Sequence, residues 1–219
     1  MGIGCGPIDR DSNNQNGGGS KETPTYPGFC TCEIQKDEDE AIEGLEEATY
    51  NDQDQLILLV WDSGPDDDAD EITYIDYNSE GQLVMEKVDR FGEGNIDRTQ
   101  SYEYNDDGRL TAEKWDDNAD GVPDITIEYK HDEHGNPVIG TGDSDGDGEV
   151  DVRIEKQWKD GLLTAYALDG LHAEPDKTPD RVVRYYYDNS GNLIEGHFDY
   201  DANGKPDVRA SYNYDCWDE

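Results

Sequence analysis

Positive charge is the scarcest commodity in this chain of 219 residues: 17 Lys and Arg stand against 55 Asp and Glu, a formal net charge of −38. A surface so short of cations has nothing with which to hold phosphates, which excludes nucleic acid and anionic membrane surfaces as direct partners. Apolar residues are also few, at 32% with three Phe and two Met. No run approaches the roughly 20 apolar residues that a membrane helix needs. Cysteine is limited to Cys5, Cys30, Cys32 and Cys216. Cys30 and Cys32 sit two apart in an apparent strand, a spacing poorly suited to pairing with each other. One of them reaching Cys216 would tie the first repeat to the last. A zinc site there lacks a second thiol pair or a nearby His. No Ser or Cys has a His partner defined by motif, so the chain reads as non-enzymatic.

What is abundant is repetition, and repeats decide the fold. Acidity on this scale would alone suggest disorder, but a fixed register and 14 tyrosines argue against it. The register is set by Trp115 to Asp124. Counting Asp116 as position 1, oxygen-bearing side chains fall at positions 1, 3, 5 and 9 (Asp116, Asn118, Asp120, Asp124), with Gly121 at position 6. The position 9 aspartate recurs at Asp70, Asp97, Asp124 and Asp151 in steps of 27, then at Asp180 after 29 and Asp207 after 27. Downstream of most of these lies a turn glycine (Gly81, Gly108, Gly135, Gly191, with Gly161 one residue early). It is preceded by Tyr77, Tyr104, His131, Trp158 or Tyr187 and usually followed by a leucine.

Each unit therefore reads as strand, glycine turn, strand, acidic loop. After Asp124, Ile125, Ile127, Tyr129 and His131 share one parity against Thr126, Glu128 and Lys130, the period of a half-buried strand. The turns at Asn105, Asp132 and Asp188 put Gly where a type I turn with a bulge needs positive φ; in the first unit Asp54 takes that place. Leu110 and Trp115 fall on opposite parities, which predicts a bulge between them. The fold expected is all-β, an antiparallel meander of hairpins with a 27-residue period, curled or barrel-like, over residues 29–219. Residues 1–28 read as a flexible tether, rich in Gly, Ser and Asn. Residues 41–48 are compatible with a short helix or a strand. A meander left open would expose an edge strand at either end, open to stacking between molecules.

The motif Y-x-Y-[DN]-x-x-G-x-L, at Tyr102 to Leu110 and Tyr185 to Leu193, resembles the YD repeats of the Rhs family. That resemblance implies hairpins laid side by side in a curling sheet, which in large members encloses a toxin. The acidic loops resemble the calcium loops of thrombospondin type 3 repeats, dockerins and EF-hands. They imply Ca2+ at Asp116, Asn118, Asp120 and Asp124; at Asp143, Asp145, Asp147 and Asp151; and at Asp199, Asp201, Asn203 and Asp207. A poorer site is expected at Asp89, Glu93 and Asp97, where Phe91 replaces a ligand, while Asp62, Asp66 and Asp70 are ambiguous, with Gly64 at position 3 and Asp67 at position 6. The loop from Asp169 to Asp180 is longer, carries His172 and Lys177, and is expected to hold no calcium or an altered site. Position 12, a bidentate glutamate in EF-hands, is Ile127, Ile154 and Ala210 here, so weak affinity of roughly 0.1 to 1 mM is expected. The start, Met1 to Cys5, resembles the end of a bacterial lipoprotein signal, which would place a lipid on Cys5 as the only membrane contact.

Function follows from these expectations: a calcium-stabilised, non-enzymatic surface repeat module, serving as spacer or platform for a protein or carbohydrate partner. A bacterial cell surface, periplasm or secreted location suits it. The alternative is a fragment or relative of a Rhs-type shell associated with a toxin or hydrolase.

Overall fold

Alternating side chains give each segment one apolar and one polar face, and fourteen such segments form a single antiparallel sheet. The computed structural model describes residues 28–36, 42–62, 69–170, 175–176 and 178–214. The first strands are β1 (Thr31–Lys36), β2 (Ile42–Tyr50), β3 (Leu56–Asp62), β4 (Glu71–Tyr77) and β5 (Leu83–Asp89). Next come β6 (Arg98–Tyr104), β7 (Leu110–Asp116), β8 (Ile125–His131), β9 (Pro137–Asp143) and β10 (Val152–Lys159). The last are β11 (Leu162–Asp169), β12 (Arg181–Tyr187), β13 (Leu193–Asp199) and β14 (Val208–Asn213). Each strand pairs with its sequence neighbours, and β1 pairs with β14 from Thr31↔Asn213 to Lys36↔Val208. The sheet is a closed barrel, so the open edges expected of an unclosed meander do not exist.

Residues 42 to 48 belong to strand β2, which removes the helical option for that stretch. Pairing on both sides, with β1 and β3, overrides the helix propensity of its Glu, Leu and Ala residues. The bulge expected between Leu110 and Trp115 sits at Thr111: Glu103 pairs with Ala112, but Tyr104 pairs with Leu110. Equivalent register shifts accompany the other hairpins, as at Tyr187↔Leu193. Thr111 and Thr164 each donate their hydroxyl to the opposite strand, at Glu103 O (3.0 Å) and Gln157 O (3.1 Å).

The barrel interior is defined most cleanly by β14, where Val208, Ala210 and Tyr212 are buried and Arg209, Ser211 and Asn213 exposed. Across the seam, Cys32 and Ile34 face Tyr212 and Ala210. Two apolar clusters line the inside, one around Ile34, Val183 and Phe198 and one around Ile127, Ile154 and Leu168. Close packing there depends on bare backbone: a Cβ at Gly140 would lie 2.7 Å from the Tyr129 ring. Polar groups also point in. Glu113 on β7 meets Lys156 on β10 at 3.3 Å, past two intervening strands, and Lys156 lies 4.6 Å from the Tyr129 ring centroid.

Outside, ion pairs join Lys87 to Asp76 and Lys114 to Glu103 within the strands. A Lys facing the middle of a bilayer costs about 2–4 kcal/mol, so this wall suits water. Cys30 and Cys32 are both disulfide-bonded. Cys5 and Cys216, with the tether and any lipid, lie outside the described residues.

Candidate metal centre

Because the chain runs as a meander, every acidic loop follows an odd-numbered strand from β3 to β13 and lies at one rim, while every glycine turn lies at the other. The turn rim is held by the aromatic slot. Tyr50 Oη donates to Phe29 O (2.6 Å), Tyr104 to Leu83 O (2.8 Å), Trp158 Nε1 to Pro137 O (2.8 Å), Tyr187 to Leu163 O (2.7 Å) and Tyr214 to Leu193 O (2.7 Å). His131 occupies the same slot, 2.7 Å from Leu110 O. A carbonyl only accepts, so the proton sits on Nε2. The tyrosines thus tie each hairpin to its predecessor, a role that the motif located but did not specify.

At the opposite rim the loops share one frame. The main-chain N–H of the position 9 aspartate donates to the residue just before position 1 in six loops, from Asp70 to Trp61 O through Asp207 to Phe198 O, each 2.8 Å. Its carboxylate then accepts the N–H of position 2: Arg90 to Asp97 (2.8 Å), Asp117 to Asp124 (2.7 Å), Ser144 to Asp151 (2.6 Å) and Tyr200 to Asp207 (2.7 Å). Even the longer loop keeps this clamp, with Gly170 N donating to Asp180 at 2.9 Å. The position 1 carboxylate accepts the N–H of the position 6 glycine: Gly94 to Asp89 (2.6 Å), Gly121 to Asp116 (2.8 Å), Gly148 to Asp143 (2.8 Å) and Gly204 to Asp199 (2.7 Å). These glycines hold φ between 86° and 91°, which explains the residue type at position 6. Asp89, Asp116 and Asp199 are buried.

Among the described residues, two loops bring three carboxylates together. One oxygen each from Asp143, Asp145 and Asp151 lie within 4.8 Å of one another, as do oxygens of Asp199, Asp201 and Asp207. These are positions 1, 3 and 9. Asp147 at position 5 is outside the first trio, its Oδ1 accepting Glu149 N–H (2.7 Å), and position 5 of the second loop is an amide, Asn203, whose Oδ1 accepts Lys205 N–H (2.9 Å). In the loop of Asp116, position 3 is Asn118, which accepts Asp120 N–H (2.9 Å), while Asp120 accepts Val122 N–H (2.8 Å). Asp89 and Asp97 keep the shared frame, with Glu93 and the 71%-exposed Phe91 facing solvent. Asp66 lies outside the described residues; Asp62 ends β3 and Asp70 precedes β4. Position 12 is settled by the barrel wall: Ile127, Ile154 and Ala210 are buried inside.

The sequence reading missed position 4. Gly92 and Gly146 hold positive φ there, but so do Ala119 (54°) and Ala202 (51°). A small residue at that place was the only signal. The charge of the site is also held by local donors. The Ser144 hydroxyl, 2.6 Å from Asp151, and then the Ser144 N–H push the Asp151 carboxyl below its usual range. The Asn203 side-chain amide does the same for Asp201. Asp151 and Asp201 are thereby favoured in the carboxylate form, a hard oxygen donor.

No family model matches the chain, and no curated protein is similar to it. Among solved structures, a porin-like protein from Bacteroides uniformis is 14% identical with a TM-score of 0.45, over 87% of this chain and 98% of that one. The TcdB2-TccC3-Cdc42 crystal structure is 15% identical with a TM-score of 0.31, over 77% of this chain. A Photorhabdus luminescens Tc holotoxin pore is 13% identical with a TM-score of 0.25. The chain spans only 10% and 9% of the length of these two toxin chains. Likeness at this level transfers neither activity nor partner.

Proposed function

We propose that this protein is a calcium-binding barrel module, stabilised by the ions it holds and acting as a non-enzymatic spacer or interaction platform outside the cell. The observation that carries this reading is the convergence of Asp143, Asp145 and Asp151, and of Asp199, Asp201 and Asp207, onto one point in each loop. Three carboxylates so close repel one another unless a cation sits between them. Oxygen-only donors on a short loop select a hard ion, and calcium tolerates the irregular geometry better than magnesium does. An oxygen that accepts one N–H keeps a second lone pair for a metal, so the loop's own hydrogen bonds and an ion are compatible. With position 12 buried as an apolar residue, water completes the shell and affinity stays near roughly 0.1 to 1 mM. Extracellular fluids carry calcium at that level, and the disulfides at Cys30 and Cys32 fit an oxidising compartment.

The test is a calcium titration by calorimetry alongside thermal unfolding, in wild type and in Asp145→Asn with Asp201→Asn. Asn118 already fills position 3 in a sister loop and makes the same backbone bond, so the variant keeps its turns. Each site at tenfold excess of calcium over Kd contributes about 1.4 kcal/mol. Wild type is expected to gain stability in millimolar calcium, and the double variant to lose most of that gain. Identical melting in calcium and in chelator would end the proposal.

A further inference from the structure

Asn203 and Gly204 form an Asn-Gly pair at positions 5 and 6 of the last loop, both exposed. In the sister loops position 5 is Asp120 or Asp147. Asn followed by Gly is the sequence most open to spontaneous deamidation, because no side chain shields the following nitrogen. The Gly204 nitrogen attacks Cγ of Asn203, a C–N bond forms, and the side-chain nitrogen leaves as ammonia, carrying the proton given up by Gly204. Water then opens the cyclic imide to an aspartyl or isoaspartyl residue. No oxidant or other partner is needed.

The folded loop holds both reacting groups apart. Gly204 N–H donates to Asp199 Oδ2 at 2.7 Å. The Asn203 side chain is fixed at each end, its Oδ1 accepting Lys205 N–H (2.9 Å) and its Nδ2 donating to Asp201 Oδ2 (2.8 Å). Its main-chain N–H donates to Asp199 Oδ1 (3.0 Å) and Asp201 Oδ1 (3.2 Å). For Cγ to reach the Gly204 nitrogen, the Lys205 and Asp199 contacts must both break. We propose that Asn203 is a deamidation site gated by this loop, protected while Asp199 holds the Gly204 N–H and reactive when the loop opens. The product supplies at position 5 the carboxylate that Asp120 and Asp147 supply elsewhere. That consequence for ion binding rests on the calcium reading, whereas the covalent step does not. The product also loses the amide donor that Asn203 offers to Asp201 Oδ2.

The experiment follows the intact chain by peptide mass spectrometry during incubation at mildly alkaline pH, without added metal, in buffer and in denaturing urea. Conversion at Asn203 is expected to be about tenfold or more slower in the folded protein, since it proceeds only through local opening. Asp199→Asn should raise the rate several-fold in buffer and leave it unchanged in urea, with faster hydrogen exchange at the Gly204 amide. If that variant fails to fold, Asp207→Asn, which loosens the clamp on Tyr200 N–H, carries the same expectation. Equal rates in buffer and urea, no conversion in urea, or unchanged conversion despite faster Gly204 exchange would each overturn the gate. Calcium binding is read separately, so neither result stands in for the other.

Discussion

At the scale of single residues, the loops contain their own comparison. Gly92 and Gly146 adopt a left-handed backbone at position 4, and Ala119 and Ala202 adopt the same one with a Cβ. That Cβ costs about 1–2 kcal/mol in the left-handed region, of which about 0.5–1 kcal/mol is returned because Ala loses less backbone entropy than Gly on folding. Ala119→Gly and Ala202→Gly are therefore expected to stabilise the protein by about 0.5–1 kcal/mol each. Gly146→Ala, where an added Cβ meets nothing within 4 Å, should lose a similar amount. Urea unfolding of the three variants decides the matter, and an unchanged midpoint in the alanine replacements would show that the position is not strained.

At the scale of elements, the loops are spliced to one another as well as to their strands. A Cβ on Gly170 would stand 1.9 Å from Asp151 O, and one on Gly92 2.6 Å from Ala69 O. Gly170 also holds φ 108°, so an Ala there meets both a strained backbone and an immovable carbonyl. Gly170→Ala is expected to cost about 2 kcal/mol or more and to disturb the loop of Asp143 and Asp151. Thermal unfolding reads the first effect and calcium titration the second. The element pattern was largely legible: Asp54 was placed in the glycine's position from sequence, and it holds φ 57°. The bulge was implied by the conflict between Leu110 and Trp115 but not located, because parity shows that a residue is extra without showing which one. Residues 41–48 were ambiguous because a short polar and apolar mixture carries no decisive period; their partners in β1 and β3 decided them.

At the scale of the molecule, closure turns the polar interior into a determinant of stability. Tyr212 is buried inside and Tyr166 and Tyr185 are half-buried against the same core, and desolvation of the phenolate pushes each of them upward from the usual tyrosine range. Tyr200, at the acidic rim, is pushed up to about 12 by burial above all, against the Arg181 charge. A group whose folded pKa is raised leaves stability intact below its unfolded value of 10.0. Above that value the unfolded chain releases the proton and the folded one does not, so stability falls as pH rises from 10.0 towards about 12. Tyrosinate absorbance and loss of ellipticity should then rise together on alkaline titration. Tyrosinate appearing well before unfolding would show the phenols to be open to solvent.

The sequence alone determined the unit: strand, glycine turn, strand and acidic loop follow from local chemistry, since alternation, positive φ and Asp spacing act over a few residues. It also placed the candidate ligands on the loops and at the strand ends that open them. Three things were decided only by tertiary structure. Pairing of β1 with β14 closed the barrel, because the curl summed over fourteen strands brings the ends together and no single repeat encodes that sum. The wall turned the position 12 residues inward, so that Ile127, Ile154 and Ala210 belong to the barrel interior and not to the loops. The fold of each loop then decided which carboxylates meet: Asp143, Asp145 and Asp151, and Asp199, Asp201 and Asp207, draw together, a grouping that spacing alone did not separate from position 5.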